Sequence, residues 1–527
     1  MSLQNLSYFL FLFVTAAVYL HLPRRAQSPF LLAASALFYG VNLQVGYASA
    51  LAGGASAAQA LFRTAVGAAL VVGLALYVWR RALRLAAAGA AEKKRLLARD
   101  VVVLLAVLAL FKYYNLYPLP TVFAGSVLDR LPFPLGISFF TFTAIGYLVD
   151  VSRGDCPAET SLVNTGVFLF FFGTVSSGPI CRGGALLPQL RAEHRFDEAR
   201  TVRFFRLFAI GLFEKVAVAD VLGLVVDQVF GHMADHGAPM LLAALVLYTF
   251  QLYFDFAGYS DLARASGLLL GLELPENFKT PFFATNFSGF WSRWHISLSS
   301  WLQDYLFTPL VWADLSRVPG IGRKWPRLPV ELCVFTVFFL SGLWHGNTLP
   351  FVVWGALQGL YRVGEELLHR RFGKPKKKGA KPAVLWGKRA GVFCLWTFSM
   401  LFFRVGSGPD TAGLSDCAAF LAGLGRGWSP ARFAAELWGA IGAGFYNKAV
   451  MQLAWLGFAA LVLCIAFYLD GQRAFRFKNK PVEQVLAGQK PAVKWLLYYA
   501  LVVCILAGFI IQNGGFGGGA SFAYANF

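Results

Sequence analysis

Apolar runs alternate with short polar connections along the whole chain. They fall at roughly 6–20, 28–42, 62–79, 101–117, 132–150, 163–180, 203–229, 239–270, 328–346, 349–366, 387–404, 452–469 and 494–512. Many approach the roughly 20 residues an α-helix needs to cross a hydrocarbon core. Helices satisfy their own backbone polar groups, so this pattern predicts an all-α polytopic membrane protein. The expected architecture is roughly 11–14 transmembrane helices plus short re-entrant or interfacial helices around a central polar cavity. The 203–229 and 239–270 runs are long enough to break into more than one helix each. No fixed-period repeat and no second domain is apparent, so 1–527 is expected to form a single transmembrane domain.

One stretch departs from the pattern. "NFSGFWSRWHISLSSWLQDYLFTPL", beginning at Asn286, is too polar to face lipid all round. Trp291, Trp294, Trp301 and Tyr305 recur near the helical period, with Arg293, His295, Ser297, Ser299 and Asp304 between them. Tryptophan favours the membrane interface, where one edge is wet. The stretch 286–312 therefore reads as an amphipathic or re-entrant helix that lines a polar cavity.

Composition agrees. Hydrophobic residues make up 57% of the chain and charged residues 14%, against about 25% charged in soluble domains. The net charge is +20. Its lysines and arginines gather in "PRRAQ", "WRRALR", "EKKRLLAR", "HRRFGKPKKKGAKP" and "RAFRFKNK", expected as cytoplasmic loops. No nucleic-acid motif accompanies them, so the expected partner of this charge is the lipid bilayer and not nucleic acid. The uncharged stretch 41–60 is expected as an outside loop. The first apolar run has its positive charges after it, which predicts a retained first span with the N-terminus outside. The alternation then leaves the Gly-rich C-terminal tail outside as well. The seven cysteines are scattered without a CxxC, and neither a disulfide framework nor a metal site is expected from them.

Ionisable groups inside a membrane are costly, so each is a functional candidate. His345 closes the 328–346 run in "GLWHG". It is either a general base, kept neutral by its low-dielectric surroundings, or a buried histidine bonded to a backbone carbonyl. His295 either assists it or ties the short helix to its neighbours. His232 and His236 stand four apart in "GHMADHG" but lack the glutamate of an HExxH site. Asp261 and Arg264 are spaced to pair on one helix face, and with Asp255 they form either a neutralised structural group or a tunnel lining. "SSGPICRGG" joins a Gly-Pro break to Arg182. No GxSxG elbow, P-loop or GxGxxG fingerprint is present.

Six stretches occur together: "FPLGISFFTFTAIGYLVDV", "SSGPICRGGALLPQL", "GLFEKVAVAD", "YFDFAGYSDLA", "ENFKTPFFATNFSGFWSRWHISLSSWLQDYLFTPL" and "GLWHG". In this order they resemble the membrane-bound O-acyltransferases, in the bacterial branch of alginate O-acetylation and teichoic-acid D-alanyl transfer membrane proteins. The likeness covers roughly residues 130–405, between N-terminal spans 1–129 and C-terminal spans 406–527. It implies that His345 matches the family's catalytic histidine and His295 its second characteristic histidine. Trp344, Trp294, Asp255, Arg182 and Asp304 form the expected substrate-binding set. The resemblance implies no bound cofactor or metal. It implies transfer of an acyl group, acetyl foremost, from a cytoplasmic thioester donor (acetyl-CoA or an acyl carrier protein). The acceptor is a hydroxyl on an extracytoplasmic polysaccharide or a partner acyltransferase. The expected location is the bacterial inner membrane. D-alanyl transfer from a carrier protein and non-catalytic transport of a lipid-linked sugar stand as alternatives. The sequence "VWADLSRV" after "YLFTPL" departs from the acetylation pattern and leaves the acceptor open.

Overall fold

Leucine, alanine, arginine and lysine are strong helix formers, and here they carry helices well past the apolar runs. The computed structural model describes residues 3, 5–114, 126, 134–316, 325–373, 381–408, 413–444 and 449–513. Among them the helices are α1 (Leu6–Tyr19), α2 (Arg24–Ala52), α3 (Ala57–Ala87), α4 (Ala90–Tyr113), α5 (Ile137–Arg153), α6 (Leu162–Phe170), α7 (Gly183–Leu190), α8 (Glu198–Leu212), α9 (Asp220–Gly231) and α10 (Ala238–Leu270). There follow α11 (Phe287–Trp291), α12 (Ile296–Leu302), α13 (Thr308–Trp312), α14 (Val330–His345), α15 (Leu349–Phe372), α16 (Pro382–Ser407), α17 (Leu414–Gly423), α18 (Pro430–Gly444), α19 (Ala449–Gly471), α20 (Val482–Ala487) and α21 (Pro491–Asn513). No strand occurs among the described residues. Among the described residues, six helices are long and apolar enough to cross a bilayer: α2, α3, α10, α16, α19 and α21. The chain is an all-α, multi-pass membrane protein.

Several expectations need correction. The uncharged stretch 41–60 is not a loop, because α2 runs through Ala52 and α3 starts at Ala57. Ser56 and Gln59 form a capping box that starts α3. "WRRALR" and "EKKRLLAR" lie on α3 and α4, since their residues favour helix over loop. The 163–180 run is helical only to Phe170. Beyond it, Gly173, Gly178 and Pro179 break the helix. The 203–229 run is divided by a π-helical segment, Phe213–Ala219, whereas 239–270 stays one helix. The 286–312 stretch is not one helix but α11, α12, a π segment (Gln303–Phe307) and α13. Part of "HRRFGKPKKKGAKP", the first residues of the 132–150 run, the last of the 101–117 run and the Gly-rich tail lie outside the described residues.

The chain divides into two compact units, Met1–Phe208 with Tyr259–Glu276 and Ala209–Gly258 with Asn277–Phe527. In the first, the expected Asp261–Arg264 pair forms at 2.7 Å on one face of α10. Tyr8 Oη and Ser266 Oγ share a buried hydrogen bond of 2.7 Å. Gly136 enters α5 at φ 73°, and a side chain there would collide with the Val175 carbonyl.

In the second unit, α14 and α15 form a hairpin joined by residues 346–348. A Cβ at Gly355 would lie 2.7 Å from the Phe338 carbonyl oxygen and 2.9 Å from Gly342 Cα. The two helices therefore touch backbone to backbone, which only glycine permits. The π segment Phe213–Ala219 is wider than an α-helix and needs the same concession. Glycines meet it on both neighbours: a Cβ at Gly258 would lie 2.8 Å from Lys215 N, and one at Gly508 would lie 2.8 Å from Val216 O. The segment turns Lys215 into the interior, where its ammonium lies 2.7 Å from Asp220 and 2.6 Å from Asp255. All three side chains are nearly solvent-free.

Two predictions follow from this packing. Gly355→Ala should cost about 1–3 kcal/mol by overpacking, seen as a lower melting temperature of the detergent-solubilised protein. Gly364→Ala, on the same helix but with nothing within 4 Å of the added atom, should leave that temperature unchanged or slightly higher. Lys215→Met strands two buried carboxylates and should cost about 3–5 kcal/mol. Asp255→Asn keeps the Lys215–Asp220 pair and should cost less. Equal losses in the two variants would contradict the central role given to the ammonium.

Candidate active site

His345 is the last residue of α14, and Gly346 after it continues in extended backbone. The imidazole is 5% exposed. Four aromatic rings surround it. Trp344 and Trp354 lie 4.7 and 4.9 Å away, centroid to centroid, and Phe403 and Phe351 lie 5.1 and 6.3 Å away. Trp354 and Phe403 stand edge-on or face-on to the imidazole at steep angles, the preferred geometry for quadrupolar rings. The Gly342–Gly355 contact, one turn before His345, brings α15 close enough for Trp354 to reach it.

His295 is 2% exposed and sits at the break between α11 and α12 with φ 44° and ψ 55°, the left-handed region. Asn277 fixes this break. Its backbone carbonyl accepts from Ile296 N at 2.9 Å, and its side-chain oxygen accepts from Ser297 N at 3.2 Å. Lys279 N donates to the Arg293 carbonyl at 3.0 Å. The break interrupts the helical period, so Trp294 and His295 enter the interior side by side. Trp294 stacks on Phe290 at 5.7 Å and meets Trp396 at 4.8 Å. His295 meets Phe256 edge-on at 4.6 Å.

Both histidines line one cavity of about 530 Å³ within the second unit. Its wall includes Trp294, Trp354, Trp396 and Phe403, with polar groups from Ser299, Ser300, Ser341, Gln303 and Arg362. Arg362 lies eight residues beyond Trp354 on α15, about 12 Å along the helix. It pairs with Glu365 at 3.2 Å. No carboxylate residue is among the described residues lining this cavity.

The structure brings His345, His295 and Trp294 onto this wall. Trp344 packs on His345 from outside the lining. Asp304 is exposed on the π segment, while its neighbours Gln303 and Phe307 line the cavity. Asp255 lies with Lys215 and not on the cavity wall. Arg182 precedes α7 in the first unit. His232 Nδ1 bonds the Gln228 carbonyl, and His236 Nδ1 lies 3.6 Å from Glu436. Sequence reasoning missed Trp354, Ser341, Phe403 and Arg362. Gly342 and Gly355 carried the only signal for Trp354, since a glycine contact predicts close helices without saying which rings come with them.

These features define a helical membrane protein with two buried histidines on the wall of one cavity. The model of the MBOAT, membrane-bound O-acyltransferase, family matches residues 156–405. The chain is 33% identical over 416 residues to the probable alginate O-acetylase AlgI of Azotobacter vinelandii, covering 76% of this chain and 73% of that protein. It is 35% identical over 312 residues to the probable alginate O-acetylase AlgI of Pseudomonas syringae pv. tomato, covering 56% and 57%. It is 29% identical over 286 residues to the teichoic acid D-alanyltransferase of Streptococcus thermophilus, covering 52% and 68%. The chain thus matches little more than half the length of the Pseudomonas relative. The chain belongs to the membrane-bound O-acyltransferase family.

The left-handed backbone at His295 makes a specific demand. Asparagine tolerates this region and β-branched residues do not. His295→Asn should retain the wild-type melting temperature within a few degrees, while His295→Val should lose about 1–3 kcal/mol. Equal stability of the two would show that the break is not held at this residue.

Proposed function

We propose that this chain is an O-acyltransferase that moves an acetyl group from a thioester to a hydroxyl, with His345 as general base. The observation that carries the reading is the shared cavity: residues 50 apart in sequence, His295 and His345, line the same volume. The hydroxyl gives its proton to the imidazole as its oxygen attacks the thioester carbonyl. The tetrahedral intermediate then expels the thiolate, which takes the proton back from the imidazolium. His345 ends α14, where the negative end of the helix dipole supports that transient cation. His295, on the same cavity wall, is the proposed donor to the oxyanion. The ring cage keeps water from the thioester, curbing hydrolysis.

The donor is acetyl-CoA or an acetylated carrier protein, and the acceptor a polysaccharide or partner-protein hydroxyl outside the cell. The α14/α15 hairpin supports this polarity. Its open end carries Arg370 and Arg371, Arg370 being paired with Glu331, whereas His345 sits at the closed tip. Basic ends face the cytoplasm, so a donor from inside and an acceptor from outside meet at His345 in a bacterial inner membrane. Arg362, though paired with Glu365, keeps further guanidinium N–H donors and is the proposed contact for the phosphate ester of such a donor.

A second reading is D-alanyl transfer, favoured by the likeness to the Streptococcus protein. An alanyl group brings an ammonium, and Glu365, which accepts from the lining residue Ser288, is already paired with Arg362. Acetyl fits this wall better.

The test uses membranes that hold the full-length protein and labelled acetyl-CoA. His345→Ala should lower label transfer to hydroxyl acceptors by about a hundredfold or more. His345→Gln should lower it similarly while preserving the melting temperature. Undiminished transfer by both variants would overturn the base assignment, and transport of a lipid-linked sugar without acyl turnover would overturn the enzymatic reading.

A further inference from the structure

Far along α3 in the first unit, one helix face changes character over a short distance. Gly73, Leu76, Tyr77, Arg80, Arg81 and Arg84 line a single open pocket. Positions 73, 76, 77, 80 and 84 recur at the three- and four-residue spacing of one face. Along that face the wall runs from apolar through aromatic to cationic. Helix α3 has 31 residues, about 46 Å in length, against a hydrocarbon core of about 30 Å. The arginines fall in its last two turns and so at the level of the headgroups. From Gly73 to Arg84 the rise is about 16 Å, roughly from a lipid phosphate to the middle of an acyl chain.

The cationic end is built and not merely decorated. Arg81 is 8% exposed. Its Nε donates to Asp100 Oδ2 at 2.8 Å, and Tyr77 Oη donates to the other oxygen at 2.9 Å. Arg99 also contacts that carboxylate, at 3.3 Å. These bonds hold the Arg81 guanidinium in place, yet its buried Nη2 has no hydrogen-bond partner among the described residues. Leaving a charged donor buried without an acceptor is costly. Arg80 and Arg84 are exposed beside it, and Arg84 meets Glu92 only at 3.4 Å on the surface. Four arginines (80, 81, 84 and 99) face two carboxylates (Glu92 and Asp100), leaving two positive charges. Guanidinium groups bind phosphate oxygens in pairs. At Gly73 an added Cβ would meet nothing within 4 Å, so the apolar half of the groove is open to an acyl chain.

We infer that this face of α3 binds an anionic phospholipid, its phosphate between Arg80, Arg81 and Arg84 and an acyl chain along Gly73 and Leu76. The assignment is independent of the transfer chemistry proposed above.

Full-length protein, washed free of lipid in detergent, is titrated separately with phosphatidylglycerol, dioleoylglycerol and inorganic phosphate, and bound molecules are counted by native mass spectrometry. Wild type should retain one phosphatidylglycerol saturably and no dioleoylglycerol. The exposed pair Arg80→Gln/Arg84→Gln should bind it about thirtyfold more weakly, each basic residue being worth roughly fivefold near an anionic headgroup. Gly73→Phe fills the apolar half and should weaken lipid binding while leaving any competition by inorganic phosphate unchanged. Melting curves establish that each variant is folded, and either variant alone decides the matter if the other is not. Wild-type lipid retention by a folded variant overturns the site. Equal retention of dioleoylglycerol overturns the headgroup assignment. Binding of inorganic phosphate as tightly as phosphatidylglycerol reduces the site to one for a free anion and overturns the lipid.

Discussion

The backbone contact between Gly342 and Gly355 determines how His345 is enclosed. Two helices that meet through side chains keep their axes about 8–10 Å apart. Glycines at the crossing bring them nearer, and the residue one turn further on is then held against whatever the second helix presents. Here that residue is His345, and the second helix presents Trp354 and Phe351. The histidine owes its enclosure to this approach and not to its own side chain. Gly346 lets the chain turn away directly after it, so the imidazole lies at a helix end and inside an aromatic cage at once.

The opposite wall solves a different problem. A polar segment at membrane depth needs its backbone groups satisfied by protein. The break at His295 leaves the first amides of α12 without helical partners, and Asn277 supplies both acceptors. The same residue that satisfies the helix start thereby fixes the backbone of His295. Deeper in the second unit, Lys215 between Asp220 and Asp255 follows the same rule with charges. Buried ion groups of this kind rarely add net stability, but removing one partner is severe. The π segment that carries Lys215 is what aims it, and Gly258 and Gly508 are what make room for the segment.

Which parts of this were legible in sequence follows from the range of the forces involved. Apolar runs report local burial, so six of them mark the helices long and apolar enough to span. The Asp261–Arg264 pair is local too and was readable from spacing. Helix ends were not, because "WRRALR" and "EKKRLLAR" carry charge that suggests a loop and propensity that extends a helix. The two histidines stood out through the cost of burying them and through their family motifs. Asp255 did as well, but cost alone does not distinguish a carboxylate that meets substrate from one that meets Lys215. That distinction depends on a π bulge 40 residues away, for which "GLFEKVAVAD" has no local signature. Trp354 had only the Gly342 and Gly355 positions to mark it and Phe403 had no signal, because aromatic residues are common in every apolar run here.

If the chain transfers an acyl group as proposed, the placement of Arg362 away from the histidines bears on the order of events. The one arginine among the cavity's described lining residues, Arg362, is paired with Glu365 and lies about 12 Å from Trp354 along α15, and the rest of that lining is mostly apolar, with serines, Gln303 and the two histidines. A phosphate-bearing carrier held near Arg362 would gain little by moving its charge further into a low-dielectric space. Its uncharged thioester arm suffers no such penalty and can extend toward His345. The acceptor hydroxyl, also uncharged, can approach the same imidazole from the hairpin tip. In that proposal, proton transfer would create charge where a helix C-terminus and an aromatic cage already surround the imidazole. Under the proposed transfer, separation of the phosphate end from the reacting end would let a mostly apolar cavity handle a highly charged donor without carrying that charge across the membrane.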